Sequence, residues 1–146
     1  MKRIFVPFLF FLSLQVWAQE PAAVNNDPLS FVGLRVAEVL ERFGSPRAVF
    51  AVRGTEVWQD DVVFQYSQGD FYIYGDRVWQ IRVNSALGVS VRDPKQAAML
   101  ILGEAVQDMG GYLLVQLSNS GWNLMSRINI NEAGAVSAIF IYRPDF

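Results

Sequence analysis

Apolar residues along this chain follow two different periods, and the switches between them predict the elements. Val36, Val39, Leu40 and Phe43 fall at i, i+3, i+4 and i+7, one stripe of a 3.6-residue repeat, with Glu38, Glu41 and Arg42 off it. That spacing predicts an amphipathic helix over 34–43, stopped by Gly44 and barred from continuing by Pro46. After it the period is two. Strands are expected over 48–53, over 57–66 (continuous, or broken at Asp60-Asp61 and resumed at Val62), over 71–74 and over 78–83. Val62, Phe64 and Tyr66 should share one face. Trp79, Ile81 and Val83 should share another, with Gln80 and Arg82 pointing away. Asp93 as N-cap and Pro94 at the first helical position then open a second helix. Residues 97–102 are apolar all round, which predicts cover on more than one side. Gly103 ends it, or Glu104 to Met109 continue it after a kink, and strands follow over 112–117, 122–130 and 135–142.

Each half thus runs helix, glycine, strands, with Phe43-Gly44 mirrored by Leu102-Gly103. The halves read as tandem units 33–84 and 92–143, whether by duplication or by shared capping logic. Either way the expected fold class is α+β, an antiparallel sheet with two helices on one face, forming one domain over 33–146. Its expected core contains Val39, Leu40, Phe43, Ile101, Leu102, Leu113, Val115, Ile128 and Phe140.

The N-terminus sets the address. Lys2 and Arg3 precede an apolar run from Ile4 to Leu14, and Val16 and Ala18 place small residues before a cut at Ala18-Gln19. This is the order of a secretory signal peptide over 1–18, and the run is shorter than the roughly 20 residues of a spanning helix. Residues 19–32, with prolines and asparagines, read as a linker. The expected location is periplasmic, with no stable membrane insertion. The mature chain keeps ten basic and fourteen acidic side chains, a balance that gives no reason to expect nucleic acid as a partner.

Missing residue types narrow the chemistry further. The chain has no cysteine and no histidine, which removes disulfides, Ser-His and Cys-His triads, and zinc sites built on those ligands. After the signal only Lys95 remains as a lysine, at a helix start. Gly110-Gly111 precedes a strand, unlike a phosphate loop. Asp70 and Asp76 lie at expected hairpin turns, Asp61 opens a strand after Asp60, and none of the four has calcium-loop spacing. No metal or cofactor is expected. What stands out is the aromatic content of the first meander. Trp58, Tyr72, Tyr74 and Trp79 are the candidate binding residues, because exposed Trp and Tyr anchor interfaces.

The segment Gly33-Leu34-Arg35-Val36-Ala37-Glu38-Val39-Leu40-Glu41-Arg42-Phe43-Gly44-Ser45-Pro46 resembles the helix-to-turn motif of the SmpA/OmlA family, small envelope lipoproteins that accompany the outer-membrane β-barrel assembly machine. Trp58 and the strands after it are similar to the next part of those lipoproteins, so the resemblance covers about 33–83. The layout is also similar to the β-lactamase-inhibitor-protein fold, a tandem helix-plus-sheet unit. The chain departs from SmpA/OmlA in lacking the lipid-anchored cysteine and in holding two units. The resemblance implies work in envelope assembly. The functional expectation is an exported, non-enzymatic domain that binds another envelope protein. Its alternative is a small-molecule or glycan-binding domain, or a hydrolase using Asp60, Asp61 or Asp76.

Overall fold

The computed structural model describes residues 26–53, 60–119 and 122–145, apart from the side chains of 118, 119 and 122. The expected signal peptide and Trp58 lie outside the described residues.

The fold begins before the expected domain start. Asp27 caps a 3-10 turn, Pro28–Ser30, by accepting the Leu29 N–H at 3.1 Å. Phe31 and Val32 then enter the core, so the expected linker is corrected at its C-terminal end. The Phe31 ring lies 5.1 Å from Phe43 and 5.5 Å from Phe71. Burying a phenylalanine side chain contributes about 1.5–3 kcal/mol, enough to order a segment whose composition looks loose.

Helix α1 spans Val36–Phe43. The Glu38 carboxylate accepts the Arg35 N–H at 2.6 Å at its start, and Gly44, at φ +73°, donates its N–H to Leu40 at its end. Val39 is fully buried and Phe43 packs against the core. Leu40, expected inside, is exposed, because it sits about 100° around the helix from Val39, on the rim of the stripe.

Four strands come next: β1 (Ala48–Val52), β2 (Asp61–Gln65), β3 (Asp70–Tyr74) and β4 (Arg77–Val83). A small hairpin, β5 (Ser85–Ala86) with β6 (Val89–Ser90), leads to helix α2 (Lys95–Leu102). The second meander is β7 (Val106–Asp108), β8 (Tyr112–Asn119), β9 (Trp122–Ile130) and β10 (Val136–Tyr142). Pro94, not Asp93, is the cap of α2. Its carbonyl accepts the Ala98 N–H, while the Asp93 carboxylate takes the Ser90 N–H at 2.7 Å. The expected cover on several sides of α2 is also corrected. Ala98 is buried and Met99 and Leu102 pack on the core, but Leu100 is 84% exposed and Ile101 52%. A single sheet touches only one side of so short a helix.

The eight strands of the two meanders form one antiparallel sheet in the order β1-β2-β3-β4-β10-β9-β8-β7. The last strand of each meander meets the other at the centre, with Ile81 opposite Ile141 and Val83 opposite Ile139. One cluster joins Val39 and Ala98 to Phe71, Ile81, Leu113, Ile128, Ile139 and Ile141, so both helices cover the same face. The fold is α+β. Val62 and Phe64 face the helices opposite Ile73 and Phe71, and Tyr66 closes the aromatic cluster, donating its hydroxyl to Gly44 O at 2.9 Å.

Strand β4 departs from simple alternation. The β3–β4 register jumps from Tyr72↔Gln80 to Ile73↔Val78, leaving Trp79 as an extra residue. This bulge puts Val78, Ile81 and Val83 on the helix face and turns Trp79 away from Ile81 and Val83, contrary to strict period two. Phe140 is likewise removed from the expected core: it lies opposite Arg82 and Arg127, on the face without helices.

Candidate functional site

Register places one row of side chains across all eight strands on the open face: Ala48, Gln65, Asp70, Arg82, Phe140, Arg127, Leu114 and Gln107. A second row runs beside it: Phe50, Val63, Tyr72, Gln80, Tyr142, Met125 and Gln116. Antiparallel alternation sends every partner in a row to the same side; Val63 is fully buried there, and the other residues of the two rows are at least partly exposed.

At its centre, a groove of about 380 Å³ is lined by Trp79, Gln80, Arg127, Asn129, Phe140 and Tyr142. The bulge is what brings Trp79 there. Its indole Nε1 donates to Asp61 Oδ1 at 2.9 Å, which fixes the ring over the end of β2. Tyr72 packs edge-on against Phe140, ring centroids 6.5 Å apart. The Arg127 guanidinium stacks 4.5 Å above the Tyr112 ring and donates Nε–H to Asn129 at 2.9 Å. No carboxylate among the described residues forms an ion pair with it. Arg82 differs, pairing with Asp70 at 3.3 Å.

Of the four candidate binding residues, Trp58 lies outside the described residues. Tyr72 and Trp79 are half-buried on the open face, and Tyr74, at the end of β3, is exposed. Burial raises the Tyr72 hydroxyl above its ordinary pKa, and the nearby Asp70 charge adds to the effect. Arg127, Asn129, Phe140 and Tyr142 were not legible as site residues. Their strands begin 39 positions or more beyond the end of β4, and the pairing of β4 with β10 has no local sequence signal. The alternation of Phe140 and Tyr142 was a clue to one shared face.

The candidate carboxylates are engaged structurally. Asp61 accepts from Trp79. Burial raises its pKa, the Trp79 hydrogen bond opposes that, and the Asp60 charge adds to it. Asp70 holds Arg82 and accepts from Gln65 Nε2 at 3.2 Å, opening a strand rather than sitting in the expected turn. Asp76 occupies the β3–β4 turn at φ +65°. Among the described residues no three His, Cys, Asp or Glu side chains gather as metal ligands.

No family model matches the chain, and no curated protein matches it. Among solved structures it is similar to an extracellular protein containing an SCP domain from Bacillus anthracis str. Ames, with a TM-score of 0.53 at 9% identity. The match covers 86% of this chain and 48% of that one, so the chain spans about half of that protein's length. At that identity the likeness is one of fold.

Proposed function

We propose that this protein is an exported, non-enzymatic binding domain, periplasmic in a bacterium, that engages another envelope protein through the open face of its sheet. One observation carries the reading: both helices cover one face, while the other presents Trp79, Phe140, Tyr142 and Arg127 around a groove, with Tyr72 packed against Phe140 beside it. Aromatics and arginine are the residue types in which binding energy concentrates. The signal-like N-terminus supports the location, and the resemblance to SmpA/OmlA supports a place in envelope assembly.

Photo-crosslinking tests this. A benzoylphenylalanine replacing Tyr142 should trap a defined partner in envelope preparations, and the same probe replacing Glu41 on α1 should not. Adducts from Glu41 and none from Tyr142 would move binding to the helix side. The groove itself favours a second reading, a small ligand such as a glycan, because aromatic walls stand beside the amides of Gln80 and Asn129. Soluble peptidoglycan fragments that shift the Trp79 indole resonance, with no protein adduct, would favour it.

A further inference from the structure

Strand β1 is the outer edge of the sheet, and all five of its residues, Ala48-Val49-Phe50-Ala51-Val52, are exposed. An edge strand presents a row of backbone N–H and C=O groups to any extended chain, and soluble proteins normally blunt such edges with lysine, proline, a bulge or a short strand. Strand β1 carries none of these: it pairs with β2 over five successive positions without a register shift. The opposite edge is blunted, since β7 has three residues and carries Asp108 in an ion pair with Lys95 at 2.8 Å.

The charges at the ends of β1 define its occupant. Arg47 and Arg53 bracket the apolar run symmetrically about Phe50, both are exposed, and neither forms an ion pair among the described residues. A second copy pairing antiparallel about Phe50 would set Arg47 opposite Arg53 at both ends. Parallel pairing would set each arginine beside itself. Like charges directly opposite destabilise a strand pair, so the brackets act against self-association. They favour a foreign strand with an acidic residue at each end.

We propose that β1 is a strand-addition site that takes an extended, apolar segment of a partner protein flanked by carboxylates. Backbone hydrogen bonds would supply affinity, and Arg47 and Arg53 would set register and exclude basic or self partners. Ala48 and Phe50 of β1 end the two open-face rows, but strand addition uses the backbone edge of β1 and needs no residue of the groove.

The test uses seven-residue peptides, matching the span from Arg47 to Arg53. Hydrogen exchange of the mature protein is measured with Asp-Thr-Val-Thr-Val-Thr-Asp, with the same peptide ended by lysines, and with a version N-methylated at alternate amides. The acidic peptide should slow exchange at the alternate 48–52 amides that face away from β2, the lysine peptide should bind at least tenfold more weakly, and the methylated one should give no added protection. In the double variant Arg47→Glu/Arg53→Glu the preference should invert to the lysine peptide, while the urea midpoint stays unchanged. Equal binding of acidic and basic peptides, or no protection at millimolar acidic peptide, overturns the proposal. So does protection, without peptide, of the alternate 48–52 amides that face away from β2, whether sedimentation shows a dimer or a monomer, because the edge is then already filled by this chain.

Discussion

The indole of Trp79 is hydrogen-bonded to the carboxylate of Asp61, although strand β3 lies between their two strands in the sheet. Trp79 is the extra residue of the β4 bulge and Asp61 opens β2, so the bond ties the irregular point of one strand to the start of another. Burial is the largest influence on Asp61 and holds its pKa above the ordinary value of 3.8.

This raised pKa gives stability a pH dependence of definite sign. The folded protein binds the Asp61 proton more tightly than the unfolded chain. The resulting stabilisation is fully present below 3.8 and is lost as pH rises through the folded value. Asp61→Asn keeps an oxygen to accept from Trp79 and cannot titrate. The stability of wild type relative to this variant, from urea midpoints between about pH 3 and 7, should therefore fall as pH rises. A rise instead would mean that the Trp79 hydrogen bond to the ionised carboxylate outweighs desolvation.

Phe31 gives a sharper stability test than any residue of the helices. It is buried against Phe43 and Phe71, and Arg42 lies over its ring at 5.1 Å. Phe31→Ala should cost about 3–5 kcal/mol, the range for deleting a core aromatic. A chain starting at Gly33 should be strongly destabilised relative to one starting at Asp27, because it lacks buried Phe31 and Val32. Equal melting of the two truncations would show that the segment before α1 is dispensable.

The α+β class and most of the elements were legible because period and punctuation are local properties. The α1 stripe, the Gly44 and Gly103 stops and the hairpin turns each depend on a few neighbouring residues. What depends on distant strands was hidden. Trp79 alternates with Ile81 in sequence, yet a one-residue bulge separates them. Phe140 reads as core because nothing local distinguishes the two faces of β10. The half of the site contributed by β9 and β10 becomes visible only through the β4–β10 pairing. Phe31 was missed because a polar, proline-bearing segment masks one aromatic residue that the core requires.

Gly69, between β2 and β3, is at φ +152°, and a Cβ there would drive into the carbonyl oxygen of Arg82. Backbone cannot yield as a flexible side chain does. Gly69→Ala should destabilise the fold by about 1–3 kcal/mol and loosen the Arg82–Asp70 pair, which is read from the Arg82 Nη1 resonance. Gly110→Ala, where a Cβ meets nothing within 4 Å, isolates the cost of positive φ alone and should be milder.

The outer side of α2 should accept charge. Leu100 and Ile101 follow the helix at the positions that Glu41 and Arg42 hold in α1, counted back from each terminal glycine. Since Leu100 projects into solvent, Leu100→Glu should change stability by no more than about 0.5 kcal/mol and raise solubility. A loss of about 2 kcal/mol or more would mean that this side of the helix is covered in the intact protein.

Tyr72 and Tyr74 share a strand face by alternation, which alone predicts that they stand or fall together. The structure separates them. Tyr72 lies mid-row, half-buried, with its ring edge-on to Phe140, whereas Tyr74 ends β3 and is 45% exposed. Losing the Tyr72 ring removes partly buried apolar area and an aromatic pair contributing about 0.5–1.5 kcal/mol beyond that area. Tyr72→Ser should therefore cost about 1–2 kcal/mol, and Tyr74→Ser no more than about 0.5 kcal/mol. Tyr72→Phe keeps the ring and should hold wild-type stability, so it is the variant in which partner crosslinking from Tyr142 can be compared without a folding defect. Equal destabilisation by the two serine variants would show that Tyr74 packs as tightly as Tyr72, and the open face would then be core at both positions.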